Sequence, residues 1–171
     1  MDSQPSPAKR LLLAFYYARQ GRDAESLDLF SQAAEGDPLN GELLFLKAQA
    51  KLNTFALEGA IADLERVRSL ETPADLADKS ARLLGRLYVR NGQQDQAKSL
   101  WQDLLRTHPS DEYLFEDLIE LQVTEGLYEE AIATSDRLLA ITRDSYRSVM
   151  RRLRKGDILH YAGRNEEALV V

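Results

Sequence analysis

The chain has 171 residues, a length that suits one domain with a sizeable core. Its formal net charge of -6 makes a polyanion such as nucleic acid a poor partner. The chain has no cysteine, which excludes disulfides, thiol nucleophiles and cysteine metal sites.

The first residues carry no convincing targeting signal. Residues 1–6 contain two prolines and two serines and are predicted to be a disordered lead. The apolar run 11–18 follows two basic residues and imitates a signal peptide, but Tyr16 stands where a small residue would have to precede cleavage after Ala18. No stretch approaches the roughly 18 unbroken apolar residues of a membrane helix. We therefore expect a cytoplasmic protein without membrane insertion.

Ten helices are predicted in chain order, because apolar residues recur at helical spacing and glycine or proline stands at the ends. In one of them, Ala97, Leu100, Trp101 and Leu104 follow the i, i+3, i+4, i+7 pattern of a single helical face. The predicted helices cover residues 7–20, 23–36, 41–53, 57–70, 75–91, 94–107, 111–125, 128–142, 145–162 and 165–171.

A small marker residue recurs along the chain at nearly constant spacing. It ends the phrases GRDAES, FALEGA, GQQDQA, GLYEEA and GRNEEA, at Ser26, Ala60, Ala97, Ala131 and Ala168. The spacings are 34, 37, 34 and 37 residues, and such a period is typical of a repeat array. The longer spacings add three residues each, so we expect slightly extended helices there rather than longer loops. The predicted single array spans 7–171, with repeats at about 7–40, 41–77, 78–111, 112–148 and an incomplete 149–171.

The pattern resembles the tetratricopeptide repeat (TPR) family over nearly the whole chain after residue 7. The third repeat carries the resemblance best, with these residues in register: Leu84, Gly85, Tyr88, Ala97, Trp101 and Pro109. Departures include Phe55 in the glycine position of FALEGA, Lys51 in a tyrosine position, and Gln122 and Ser135 in the fourth repeat. The resemblance implies an all-α superhelix, a TPR solenoid of four full helical hairpins and a partial fifth. The residues expected to be buried are Tyr17, Phe30, Leu84, Tyr88, Ala97, Trp101, Leu118 and Ala131.

Residues for catalysis or metal binding do not form a recognisable pattern. His108 and His160 lack a second histidine at metal-ligand spacing. Neither a glycine-rich phosphate loop nor a nucleophile elbow occurs. We therefore predict no enzyme activity, no metal and no cofactor.

The resemblance implies a concave groove lined by the first helix of each hairpin. The groove residues are predicted to be Leu11, Phe15, Phe45, Gln49, Lys79, Arg82, Arg86, Arg90, Tyr113, Glu116 and Glu120. Arg82, Arg86 and Arg90 share one helical stripe, where like charges are mildly destabilising. Because arginine forks bind carboxylates, we predict an acidic segment or a carboxyl terminus as the ligand.

The basic residues have two alternative explanations besides ligand binding. Glu116 and Glu120, on the next first helix, are expected beside Arg82 and Arg86, so inter-repeat ion pairs could neutralise the arginines instead of a ligand. A second run of basic residues at 143–155 could contact RNA. It is better explained as residues on a helix surface that offset the charge of acidic neighbours.

The leading interpretation is a non-catalytic protein–protein interaction module or scaffold that forms a segment of a longer protein. The alternatives are a regulatory arm of an enzyme whose catalytic domain lies outside this chain, and a TPR-type secretion chaperone. Apolar edges are expected at both ends, around Leu12 with Tyr16 and around Leu169 with Val170, and they favour self-association.

Overall fold

A computed structural model describes residues 6–171, and this part of the chain contains ten α-helices and no strand. The helices are α1 (Pro7–Arg19), α2 (Asp23–Gly36), α3 (Gly41–Asn53), α4 (Leu57–Ser69), α5 (Ala74–Arg90), α6 (Gln94–Thr107), α7 (Glu112–Thr124), α8 (Tyr128–Ile141), α9 (Ser145–Tyr161) and α10 (Asn165–Ala168). The predicted disordered lead lies outside the described residues except for Ser6. Ser6 is the N-cap of α1, and its hydroxyl oxygen is 3.4 Å from the Lys9 amide nitrogen.

The predicted all-helical fold of repeated hairpins is confirmed, and nine helices begin and end within one residue of the predicted bounds. The exception is α10, which ends at Ala168 instead of continuing to Val171. Leu169 and Val170 are almost fully exposed, so no packed surface supports a further helical turn there.

The extended helices expected from the longer spacings are present. Helices α5 and α9 have 17 residues each, four more than the 13 residues of α1, α3 and α7. The loops that precede α5 and α9 are as short as the other connections between hairpins. The added residues therefore lengthen the start of each helix.

The turn inside each hairpin requires a left-handed backbone conformation. Gly21, Gly92, Gly126 and Gly163 have φ values between +70° and +77°. This conformation lets the next amide reach back to the end of the helix, as between the Leu127 amide nitrogen and the Gln122 carbonyl oxygen at 2.8 Å. In the second repeat Phe55 takes the glycine position with φ +61°, and its side chain is 91% exposed.

The described chain divides into two compact units within the turn of the third repeat, between Gly92 and Gln93. In the first unit, each of the helices α1–α5 packs against the next one along the chain. Its core includes a cluster of Ala14, Phe30 and Ala50 and a cluster of Ala34, Leu44, Val67 and Leu76. In the second unit, helices α6–α10 pack in the same sequential manner. The buried side chains of the second unit include Trp101, Phe115, Leu118, Ile119, Ile158 and Leu159.

Of the residues expected in the core, all are buried except Tyr17. Tyr17 is half-buried, and the guanidinium of Arg22 covers one face of its ring at 4.1 Å from the ring centre. Tyr17 was predicted to be buried, and the structure shows it half-buried instead.

The repeat pattern has a tyrosine near the end of the first helix of each hairpin. This position holds Tyr88 in the third repeat and Lys51 in the second, and the two side chains make different contacts. Tyr88 donates a hydrogen bond to Glu65 at 2.8 Å, and burial together with this bond raises the pKa of Tyr88 to about 12. In the second repeat Lys51 occupies the position, with its ammonium 2.6 Å from the buried carboxylate of Asp63. Lys51 also donates to the Gly59 carbonyl oxygen at 3.0 Å. The departure from tyrosine is thus compensated by an acidic residue on α4.

Candidate functional site

The basic ladder, defined as Lys79, Arg82, Arg86 and Arg90, runs along the solvent side of α5. Arg82 is half-buried and the other three are exposed. The opposite side of α5 is packed into the first unit, where Leu76, Leu84 and Leu87 are buried. Lys79 lies 3.3 Å from Asp75 one turn earlier, in an exposed pair that contributes little to stability. The ladder therefore places three exposed cations and one half-buried cation along one side of a helix whose other side is buried.

The apolar residues predicted beside the ladder belong mainly to the core of the first unit. Phe45 packs against the cluster that contains Leu44, and Leu11 packs against the cluster that contains Phe30. Phe15 meets Phe30 edge to face, with ring centres 5.2 Å apart. Phe15 still keeps nearly half of its surface exposed, so part of the ring is available to a ligand.

The remaining predicted residue of the first unit, Gln49, is exposed on α3. The residues of the second unit have a different environment. Tyr113 is exposed at the start of α7 and Glu120 is exposed one turn before its end. Glu116 is half-buried and accepts hydrogen bonds from Arg151, at 2.6 Å from Nη2 and 3.2 Å from Nε.

Arg151 is the residue that the predicted site lacks, and it organises this face of the second unit. It binds Glu112 at 3.0 Å as well as Glu116, and it donates to the Thr142 hydroxyl at 2.6 Å. Arg147 also binds Glu112, at 3.0 Å. The hydrogen bond from Arg151 is the main cause that holds the pKa of the Glu112 carboxyl below its usual range.

Ion pairs account for three of the six residues of the second basic run. Lys155 lies 2.5 Å from Asp136, so Arg147, Arg151 and Lys155 all face carboxylates of α7 or α8. The interpretation that this run offsets acidic neighbours is confirmed for these three residues. The spacing did not indicate the pairs, because Glu112 and Glu116 precede Arg147 and Arg151 by 35 residues, whereas these two repeats are 37 residues apart.

A small cleft of about 290 Å³ lies between α7 and α9 on this face. Tyr113 and Tyr146 form its rim, and Met150 and the Glu116–Arg151 pair line it further. Tyr113 and Glu116 were predicted at the site, whereas Tyr146 and Arg151 were not. The cleft offers aromatic and aliphatic surface beside charges that are already paired.

Across residues 6–171, no group of three or more histidine, aspartate or glutamate side chains is arranged to hold a metal ion. In the same residues, each helix is too short or too polar to cross a membrane.

Comparison with known proteins supports the repeat assignment. A family model described as tetratricopeptide repeat matches residues 82–148. No curated protein matches the chain. A crystal structure of MamA superposes with a TM-score of 0.80 at 15% identity, over 95% of this chain and 86% of the MamA chain. A second MamA structure, labelled AMB-1, gives 0.74 at 21% identity over the same shares of the two chains.

The structure of YrrB, described as a TPR protein with an unusual peptide-binding site, has a TM-score of 0.72 at 14% identity and covers 94% of this chain and 79% of its own. At these identities, the likeness to MamA and YrrB shows the fold alone. The family match over residues 82–148, together with the repeated helical hairpins, supports an assignment to the tetratricopeptide repeat family.

Proposed function

We propose that the chain is a non-catalytic protein-interaction module and that the basic ladder of α5 binds an acidic segment or the carboxyl terminus of a partner protein. The observation that carries the proposal is the row of four cations on the solvent side of a helix whose other side is buried. A rigid support keeps the cations at fixed spacing, which lowers the entropic cost of binding.

The spacing of the ladder suits an extended peptide. Arg82, Arg86 and Arg90 follow each other at four residues, which corresponds to about 6 Å along a helix axis. Every second residue of an extended chain is about 6.6 Å apart and points to the same side. A segment with Asp or Glu at alternate positions can therefore place one carboxylate near each arginine. Each charge-assisted hydrogen bond contributes about 1.5–3 kcal/mol when it is partly desolvated.

The fold is compatible with peptide recognition, because YrrB shares it and is described as having a peptide-binding site. The exposed part of Phe15 and the amide of Gln49 are proposed to contact the same ligand. Tyr113, Glu116 and Glu120 belong to the second unit and stay predicted groove residues. The alternative in which Glu116 and Glu120 neutralise the ladder stays a prediction, and in the second unit Glu116 is paired with Arg151.

Fluorescence anisotropy with a labelled peptide tests the proposal. The probe has glutamate at alternate positions and a free carboxyl terminus, and a scrambled peptide of equal charge serves as a comparison. We expect saturable binding of the probe that weakens as salt is added, because the Debye length falls to about 8 Å at physiological ionic strength. The double variant Arg82→Glu and Arg86→Glu should abolish binding while the melting curve stays nearly unchanged.

The matched control is Arg143→Glu with Arg152→Glu, which changes the net charge equally at two exposed arginines of the second unit. This control should bind the probe within about twofold of the wild-type affinity, since neither arginine belongs to the ladder. Binding that survives the Arg82 and Arg86 reversal at low salt contradicts the proposed site. A large loss of stability in that variant, restored by Glu120→Arg, supports the ion-pair alternative instead; Glu116 is left unchanged because it also holds Arg151.

We also propose that copies of the chain associate through exposed apolar residues at the two ends. Leu12 and Tyr16 on α1 are 70% and 56% exposed, and Leu169 is 88% exposed. Large apolar side chains that cluster on a surface commonly mark a contact with another protein.

A further inference from the structure

We propose that α1 of one copy docks into an open slot between α9 and α10 of another copy, so that copies associate head to tail. This inference rests on the proposed self-association and is independent of peptide binding by the basic ladder. It assigns a specific partner surface to each of the two exposed ends.

The slot is a cavity of about 690 Å³ on one side of the last hairpin. Its walls are mainly apolar, with Val149 and Leu153 from α9 and Leu169 after α10. At the floor α9 and α10 approach closely, because a Cβ atom added to Gly156 would lie 3.6 Å from the carbonyl oxygen of Ala168. The slot therefore combines a narrow floor with exposed aliphatic walls.

The preceding hairpin, α7 and α8, has an equivalent space between its two helices. The element that covers this space indicates what kind of element would fill the open slot. Ile119 of α7 and Ala131 of α8 stand 37 residues before Gly156 and Ala168. Ile119 and Ala131 are buried, whereas Gly156 and Ala168 are only half-buried. The difference arises because α9 packs beside α7 and α8, as the bonds from Arg151 to Glu112 and Glu116 show. The expected occupant of the open slot is therefore a first helix of a hairpin.

Helix α1 is such a first helix and has a suitable face. The turn glycines Gly21 and Gly163 align α1 with α9 at an offset of 142 residues. At this offset Leu12 and Tyr16 correspond to Arg154 and Ile158 of α9. Arg154 lines the cavity beside α7 and α8, and Ile158 is buried. Leu12 and Tyr16 thus occupy the positions that face a preceding hairpin, and both are exposed in the single chain.

The charges of the two surfaces favour this pairing over a contact between like ends. Helix α1 carries Lys9, Arg10 and Arg19 and no acidic residue. The slot is lined by Asp157 and by Arg152, and α10 adds Glu166 and Glu167. Glu167 is paired with Arg164, so Asp157 and Glu166 are the carboxylates that attract the cations of α1, whereas two copies of α1 would repel each other. Because the two surfaces differ, the contact is heterologous and can continue from copy to copy.

Sedimentation velocity over a wide range of protein concentration tests this inference. The front variant, Leu12→Glu with Tyr16→Glu, alters only α1. The back variant, Leu153→Glu with Leu169→Glu, alters only the slot. The matched control is Leu39→Glu, which alters a loop residue that is 71% exposed, much like Leu12 at 70%. Melting curves followed by circular dichroism establish that each variant is folded.

We expect the wild type and the Leu39→Glu control to grow in mass with concentration, and each surface variant alone to stay monomeric. An equimolar mixture of front and back variants should form a 1:1 complex and nothing larger, because only one productive pair of surfaces remains. Monomeric variants that fail to combine indicate a contact between like ends and overturn the head-to-tail arrangement. Association that persists in either surface variant overturns the slot but leaves self-association through another surface. A wild type that stays monomeric overturns both, while binding of the acidic peptide is unaffected by any of these outcomes.

Discussion

Arg151 of α9 lies 2.6 Å from Glu116 of α7 and spans the interval between consecutive hairpins. The same guanidinium group reaches Glu112 one turn earlier and the Thr142 hydroxyl in the preceding loop. Its side chain is only 11% exposed, so these bonds are partly shielded from water. Arg151 therefore fixes the position of α9 more firmly than an exposed ion pair would.

The variant Arg151→Ala should lower the free energy of unfolding by about 2 kcal/mol, because Glu116 loses its charged donor and Glu112 keeps only Arg147. Urea denaturation followed by circular dichroism measures the change. The adjacent Arg152→Ala alters an exposed side chain and should change stability by less than about 0.5 kcal/mol. Equal effects of the two variants would contradict the role assigned to Arg151.

The stability of the second unit should depend on pH through Glu112. Arg151 lowers the pKa of the folded Glu112 carboxyl below its unfolded value, so this carboxylate contributes stability above the unfolded pKa of about 4.3. The contribution is lost as the pH falls through the folded pKa. Melting temperatures from pH 7 to pH 3 should therefore fall less steeply in Glu112→Gln than in the wild type, although the variant is less stable at pH 7.

The matched control for this titration is Glu120→Gln, an exposed position on the same helix. It should keep the pH dependence of the wild type. A wild-type slope in Glu112→Gln would show that the acid sensitivity arises elsewhere.

Replacing Phe55 with glycine should stabilise the first unit by about 1 kcal/mol, since a left-handed conformation costs a side-chain-bearing residue about 1–2 kcal/mol and glycine much less. Thermal unfolding measures the difference. The comparison variant Phe55→Ala removes the exposed ring but keeps a Cβ atom at φ +61°, so its stability should stay near that of the wild type. A gain in Phe55→Ala as large as in Phe55→Gly would mean that the exposed ring, and not the backbone, is the source of the cost.

The variant Ala97→Leu should destabilise the chain by about 1–3 kcal/mol, because Ala97 is fully buried and overpacking forces its neighbours apart. Ala133→Leu, on the exposed side of α8, is the matched control and should be nearly neutral. A melting temperature of Ala97→Leu equal to that of the wild type would show that the site can absorb the larger side chain.

Local signals explain why so much of the fold is readable from the sequence. The turn glycines impose a left-handed conformation at fixed distances from the markers, and this determines where one helix ends and the next begins. The small marker residues Ala60, Ala97 and Ala131 are buried because two helices meet there. Such signals depend on the identity of single residues and not on their partners.

The candidate site is harder to read because it depends on pairs. Whether Glu116 faces an arginine of the preceding repeat or Arg151 of the following one is decided by side-chain reach, which spacing alone does not give. Lys51 illustrates the same point. A lysine fits this tyrosine position because it pairs with Asp63, which lies twelve residues later on another helix. Tyr17 and Tyr88 lie equally far from the ends of their helices, but Tyr88 contacts Glu65 of the preceding helix α4, whereas no described helix precedes α1.

The one-turn extension of α5 and α9 has a consequence for how the gene can change in length. Four additional residues at the start of a helix complete roughly one turn, since a turn takes about 3.6 residues, so the residues that follow keep their faces. A single inserted residue inside the helix would instead rotate everything before or after it by about 100°. Insertions and deletions in this chain should therefore be tolerated in steps of three or four codons at the beginning of first helices, and a library of length variants would recover survivors in those steps.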